Sequence, residues 1–346
     1  MEAAPEHATE NDVGIEPGDL IADRYRVVRV IGRGGMGLIL EAMHEALGQR
    51  VAIKVLRHQG ADHAEATARF LAEARALGQL NTRHFPRVTD VATIHEDTPY
   101  FVMEYLDGRD LAAVLSADGP LSVETATDYA LQVCEALAEA YAAGIVHRDI
   151  KPSNLFITHA SDGSPLLKVL DLGISKFTSE GDPTVPSLTQ TGIVAMMGSP
   201  RYMAPEQMRS TKRVDHRADI WSLGVVLHES LTGERPFVGE TFPDLCAAIS
   251  ADDPVRVRQV RRDVPIELQD VILRCLAKDP EQRFADVGVL ARELAPFAPP
   301  DAAVAARRVA RIIGAASDDG PPSANPAILA ASVARYLDAI SGRRPA

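Results

Sequence analysis

Apolar positions in the first hundred residues recur mainly every second residue. Tyr25 to Ile31 reads Tyr-Arg-Val-Val-Arg-Val-Ile, Leu38 to Ala42 follows a glycine cluster, and Val51 to Leu56 is rich in β-branched residues. With Tyr100 to Tyr105, each of these predicts a strand. Between the third and fourth, Ala64 to Leu80 switches to helical spacing, with Phe70, Leu71, Ala74 and Leu77 on one face. After Gly119 long helical patterns take over. Ser122 is suited to N-cap a helix carrying Ala126, Tyr129, Val133 and Leu137, and Gly144 stands where a left-handed C-cap is needed. Asp215 to Thr232 predicts a second helix, apolar at Ile220, Leu223, Val226 and Leu227 and stopped by Gly233. A strand-rich front and a helix-rich back predict an α+β fold of two lobes with a cleft between them.

Dense patterning runs from about Leu20 to Phe297. Residues 1–20 lack it and are expected to be disordered. Residues 21–297 are expected to form one domain, with an N-lobe at about 21–103 and a C-lobe at about 108–297. The tail, 298–346, is rich in Ala, Pro, Gly and Arg. Helical patterns near Val304 to Ile313 and Ile328 to Ile340 flank a linker at Asp318 to Pro322. The basic run Ala306 to Arg311 reads as a solvated amphipathic helix in preference to a docking site for an anionic surface.

Composition narrows the function classes. The 346 residues are 46% hydrophobic and 24% charged, ordinary for a globular protein. A net charge of −12 and a pI of about 5.3 argue against a general nucleic-acid binder. Cys134, Cys246 and Cys275 are scattered singly through apolar stretches, which suits reduced core thiols better than a disulfide framework or a zinc site. The N-terminus has no apolar leader core, and no segment reaches the roughly 18 apolar residues of a membrane span. A cytoplasmic chain is expected.

Three clusters carry chemistry. Gly32-Arg33-Gly34-Gly35-Met36-Gly37 is a G-x-G-x-x-G element, weak by itself because dinucleotide folds and plain hairpins share it. Here Leu38-Ile39-Leu40-Glu41-Ala42 follows as a strand rather than a helix, so the glycines turn a hairpin; backbone amides without side chains can then approach phosphate oxygens closely. Val51-Ala52-Ile53-Lys54 ends a strand on a lysine, which alone would be an ordinary solvated cation and beside a phosphate loop is its counter-charge. His147-Arg148-Asp149-Ile150-Lys151-Pro152-Ser153-Asn154 follows the stop at Gly144. Phosphoryl transfer needs an acceptor for the hydroxyl proton, cations on phosphate oxygens, and oxygen ligands for magnesium. Asp149, Lys151, Asn154 and Asp171 supply these in order, although singly each reads as a turn, a cap or a strand end.

Together these motifs resemble the Hanks-type, or eukaryotic-like, serine/threonine protein kinases of bacteria, over roughly Tyr25 to Phe297. The resemblance implies a two-lobed kinase fold and transfer of the ATP γ-phosphate to Ser/Thr hydroxyls of proteins. It implies ATP and Mg2+ as cofactors, with Mn2+ as a substitute. Ile31 to Ile39, through Gly32, Arg33, Gly34, Gly35, Met36, Gly37 and Leu38, would cover ATP together with Ala52. Lys54 would hold the α- and β-phosphates and pair with Glu73, Glu65 being the weaker alternative. Met103 falls at the gatekeeper position, and Glu104 to Leu106 at the adenine-binding hinge. Asp149 would be the base, assisted by Lys151; Asn154 and Asp171 would hold the metal, with Leu172 where Phe is usual. Glu206 of Ala204-Pro205-Glu206 would pair with Arg283, and Asp219 would anchor the catalytic loop. Arg148 would receive a phosphate on Thr189 or Thr191, placed by autophosphorylation in trans within a dimer.

Two rivals share parts of this pattern. A pseudokinase would lack Lys54, Asp149, Asn154 or Asp171, all present here. A small-molecule kinase would lack the Ala-Pro-Glu segment and the peptide-docking loop before it.

Overall fold

The computed structural model describes residues 14–34, 37–57, 63–80, 82–94, 98–173, 200–209, 214–300 and 302–318. The chain divides into two compact units, residues 1–78 with 87–106, and residues 79–86 with 107–346.

The first unit is an antiparallel sheet of six strands in the order β1-β2-β3-β4-β6-β5. These are β1 (Leu20–Ile21), β2 (Tyr25–Arg33), β3 (Gly37–His44), β4 (Gln49–Leu56), β5 (Val88–Ile94) and β6 (Thr98–Glu104). The alternation of Tyr25 and Val27 against Arg26 and Val28 seats the first pair in a core with Leu38, Leu40, Ala42, Ile53, Val55, Tyr100 and Val102. Among the described residues the unit has one helix, α1 (His63–Gln79), which buries Phe70, Leu71, Ala74 and Leu77, the face read from the sequence. Phe70 meets Phe101 of β6 with ring centroids 5.0 Å apart.

Where the sequence suggested disorder through residue 20, Ile15 is 6% exposed and joins this core, and β1 already pairs Leu20 with Arg26. One isolated apolar residue among polar ones has no periodicity to announce it.

The second unit is mainly helical. A three-stranded sheet is built from β7 (Arg109–Asp110), β8 (Leu155–His159) and β9 (Pro165–Val169), with β8 in the middle. Helix α2 (Leu111–Asp118) starts on Asp110, whose carboxylate accepts the Ala113 N–H at 2.8 Å. Helix α3 (Val123–Ala142) starts on Ser122, which accepts the Thr125 N–H at 3.1 Å, and the chain leaves it through left-handed Gly144. A short α4 (Pro205–Arg209) precedes α5 (Arg217–Thr232). Every residue of α5 from Ala218 to Thr232 is buried, so this helix is the axis on which the unit packs. Helices α6 (Phe242–Ala251), α7 (Val257–Val260), α8 (Ile266–Cys275) and α9 (Val287–Leu294) complete the bundle.

The first tail pattern forms α10 (Ala303–Asp318), an amphipathic helix with Arg307, Ala310 and Arg311 exposed and its other face packed. It lies against α3 and α9, with Val309 fully buried and Ala306 4% exposed. Small residues at its inner face let it approach closely, and Arg308 joins Glu135 of α3 at 2.5 Å. The second tail pattern, Ile328 to Ile340, lies outside the described residues.

Candidate active site

In the first unit, the β2–β3 hairpin is closed by Gly34 and Gly37, whose N–H and C=O groups bond reciprocally at 2.9 and 3.3 Å. A Cβ at Gly37 would stand 2.4 Å from the Val55 carbonyl oxygen on β4, so only glycine fits where the turn crosses its neighbour. Gly35 and Met36 lie outside the described residues. Ile31, Arg33 and Gly34 are exposed, Gly32 and Ile39 partly so. The Leu38 side chain belongs to the sheet core.

Lys54 pairs with Ile39 on one side and Phe101 on the other. Its Nζ lies 2.7 Å from Glu73 Oε1, with Lys54 7% and Glu73 2% exposed. Glu65 is on the surface with Arg69, one turn away, so the alternative partner is spoken for. Removing both charges from water is costly, and an apolar pair would serve packing as well. Such a pair is suited to holding an ammonium group at a fixed point. Ala52, 4% exposed, opposes Met103 across the β4–β6 ladder. The Glu104 N–H donates to Arg87 O at 3.0 Å, and Leu106 ends the unit.

In the second unit, the loop after α3 hangs from Asp219 on α5. Its buried carboxylate accepts the N–H groups of His147 at 2.9 Å and Arg148 at 2.6 Å, and the Tyr141 hydroxyl at 3.1 Å. Burial pushes the Asp219 carboxyl up, and His147 with these donors pulls against it. Arg148 is thereby held at φ +64°, and Asp171 adopts φ +51°. Only four non-glycine residues among those described have positive φ, and these two flank the proposed chemistry. Gln207 of α4 donates to the Arg148 carbonyl at 3.1 Å, and an Arg148 guanidinium N–H donates to Val214 O at 3.2 Å.

His147 is a structural bridge. Its Nδ1 accepts the Asp149 N–H at 3.2 Å, so its Nε2 carries the proton and donates to Leu170 O at 3.2 Å. Burial lowers its pKa, which keeps the ring neutral. The unfolded ring binds a proton below about pH 6.5 and the folded ring does so only at lower pH, so stability falls as pH drops through that range. Urea unfolding at pH 7.5 and 5.5 is expected to show a larger loss of stability for the parent protein than for His147→Phe.

Asp149 is 9% exposed. Lys151 Nζ stands 2.9 Å from its Oδ2, and Asn154 Nδ2 donates to both its backbone O at 2.9 Å and its Oδ2 at 3.0 Å. With its NH2 directed at Asp149, Asn154 has Oδ1 to offer a cation. The Leu170 N–H donates to Asn154 O at 2.7 Å, and the Gly173 N–H to His147 O at 3.0 Å, which brings Asp171 to the same loop. A Cβ on Gly173 would lie 2.5 Å from His147 O, so no larger residue permits this approach. Asp171 itself is exposed.

Glu206 at the start of α4 meets Arg283 through two hydrogen bonds of 2.6 and 2.8 Å, and Arg283 is 2% exposed. The loop carrying Thr189 and Thr191 lies outside the described residues. Tyr141, Gln207 and His84, which anchor this region, are absent from the sequence reading; nothing in their spacing relates them to the loop they hold.

The protein kinase domain family matches residues 25–294. The chain is 39% identical over 270 residues to the serine/threonine-protein kinase Pkn1 of Myxococcus xanthus, covering 78% of this chain and 38% of the relative. It is 35% identical over 340 residues to PknB of Mycolicibacterium smegmatis, covering 93% of this chain and 53% of that protein. It therefore spans about half or less of the length of these curated relatives. Among solved structures, a mutant of the Mycobacterium tuberculosis PknI kinase domain superposes with a TM-score of 0.60 at 25% identity, covering 82% of this chain and 98% of that one. Rad53 residues 1–466 in complex with AMP-PNP gives 0.63 at 24% identity, covering 79% and 65%, a likeness of fold. A family match over residues 25–294, well more than half the chain, makes this chain a member of the protein kinase domain family.

Proposed function

We propose that this protein is a serine/threonine protein kinase that transfers the ATP γ-phosphate to Ser/Thr hydroxyls of protein substrates. The observation that carries the reading is the Asp149, Lys151 and Asn154 cluster, suspended from Asp219 and His147 in a strained loop. Asp149 accepts the substrate hydroxyl's proton as the new O–P bond forms and the bond between the γ-phosphorus and the β–γ bridging oxygen breaks. Lys151 holds the Asp149 carboxylate by one oxygen and supplies positive charge to the transferring phosphoryl group. Asn154 fixes the rotamer of Asp149, and Lys54, kept in place by Glu73, neutralises the α- and β-phosphates.

A divalent cation fits the donor set, since Asn154 Oδ1 and the Asp171 carboxylate are the hard oxygen ligands that Mg2+ selects. When bound, Mg2+ neutralises charge on the phosphates, and Mn2+ would serve the same donors. The hinge residues Glu104 to Leu106 and the hairpin Ile31 to Ile39 bind the nucleotide. Autophosphorylation in trans, within a transient dimer, falls on Thr189 or Thr191. Among the described residues no helix is long and apolar enough to cross a membrane. A cytoplasmic site of action belongs to the same reading.

The test is mass spectrometry of the purified protein after incubation with ATP and Mg2+, alone and with a Ser/Thr peptide library. Phosphate on Ser or Thr of either is the expected result. A protein that binds nucleotide and leaves both unmodified would overturn the reading in favour of a pseudokinase.

A further inference from the structure

We propose that Arg308, on helix α10 beyond the end of the family match, is a positioning residue for Asp171 that acts through Glu135, His84 and strand β9. The proposal rests on the reading of Asp171 as a metal ligand.

Among the described residues, strand β9 pairs with β8 along one edge only. Its other edge is satisfied by side chains and loop backbone instead of a strand. The Leu167 N–H donates to Gln132 Oε1 at 2.8 Å, and the Leu167 carbonyl accepts from His84 Nδ1 at 2.8 Å. The Val169 N–H donates to the His84 carbonyl at 2.8 Å, and Lys168 Nζ donates to Phe85 O at 3.3 Å. His84 thus touches β9 twice, just before the chain reaches Asp171. Any rotation of its ring shifts the strand end from which Asp171 projects.

The orientation of that ring depends on its other nitrogen. His84 is fully buried, and its Nε2 faces Glu135 Oε2 at 3.5 Å, with Arg83 Nε at 3.3 Å. Glu135 lies one helical turn from Gln132 on α3 and is 3% exposed. Glu139, one turn further, adds a second acidic group to the neighbourhood. A carboxylate this deep needs a cation, and Arg308 Nη1 supplies it at 2.5 Å from Oε1. Burial opposes the charge on Glu135, while His84 and Arg308 together bring its pKa below the usual range. Without Arg308, Glu135 either protonates or draws His84 toward it, and both outcomes change the grip on Leu167.

The arrangement separates from a purely structural role by its effect on the metal. In full-length Arg308→Ala, the gain in ADP affinity on adding Mg2+, measured by calorimetry, is expected to shrink about threefold to tenfold, with metal-free ADP binding unchanged. Amide exchange over residues 165–171 is expected to quicken, and Arg308→Lys to restore most of both. Should Arg308→Ala not fold, Glu135→Gln combined with Arg308→Ala removes both charges and is expected to show the same two shifts. A variant that is merely less stable, with parental metal dependence and exchange in β9, overturns the proposal. Asp171→Asn is the control. If it keeps the metal-dependent gain, the metal-ligand reading fails; if it loses the gain while Arg308→Ala keeps it, the positioning role alone fails.

Discussion

Asp149→Asn is expected to lower kcat for peptide phosphorylation by about 10³-fold, within the range a positioned general base contributes. That factor corresponds to about 4 kcal/mol of transition-state stabilisation. The substitution is nearly isosteric, so Asn154 Nδ2 keeps the backbone oxygen of residue 149 as a partner, and the Asp219 anchor at His147 and Arg148 is untouched. Lys151 loses the carboxylate at 2.9 Å, but it is partly solvated and water takes over the vacated donor. The KM for ATP and the melting temperature should therefore remain close to parental values. A loss confined to kcat, in steady-state assays with saturating ATP, is the expected signature. A variant with a tenth or more of parental kcat would show that residue 149 does not take the proton.

The second large effect is structural. Arg283→Ala is expected to destabilise the protein by about 3–5 kcal/mol, because it leaves Glu206 with its partner gone in a mostly buried position. Besides the paired bonds to Glu206, Arg283 donates to Ala277 O at 2.9 Å and Arg217 O at 3.0 Å, and its guanidinium lies 5.1 Å from the Trp221 ring centroid. One side chain therefore ties α4, the start of α5 and the loop after α8. For a unit of this size the loss corresponds to a fall in Tm on the order of 10 °C, readable by scanning calorimetry. Arg283→Lys keeps charge but not the planar fork, and should recover less than half of the difference. A Tm within about 2 °C of parental for Arg283→Ala would mean that the contact is dispensable.

The strands with one strongly buried face were legible. Tyr25, Val27, Leu38, Leu40, Ile53 and Val55 alternate because the core selects them, and the helix faces at Phe70 to Leu77 and Ala126 to Leu137 follow the same logic. Strand β5 escaped because Thr89, Asp90 and Thr93 lie among its apolar residues and all but two of its positions are only half-buried. Strand β1, two residues long, has no period to detect. The candidate-site residues that stand close in sequence, from His147 to Asn154, are also gathered in space, where Lys151 and Asn154 both reach Asp149. The expected partner of Lys54 needed the turn geometry of α1 to separate Glu73 from Glu65. Contacts between distant residues left no trace. Glu135 and Arg308 meet across 173 positions of chain, with His84 packed against Glu135, and no spacing rule relates a loop histidine to an arginine beyond the family match. The tail helix is amphipathic as its pattern reads, with Arg307 and Arg311 exposed, but its docking through Ala306 and Val309 was not legible because no spacing names the helices it packs on.

The three cysteines carry a practical corollary. Cys134 and Cys275 sit fully enclosed where α3 and α8 press on α5, and burial pushes the Cys275 thiol up to about 12 and Cys134 higher still. Cys246, on α6, is half-exposed. An alkylating reagent thus finds one sulfur on the intact molecule and two more only when the helical bundle comes apart. The protein carries an internal clock for global opening, which needs no engineered label.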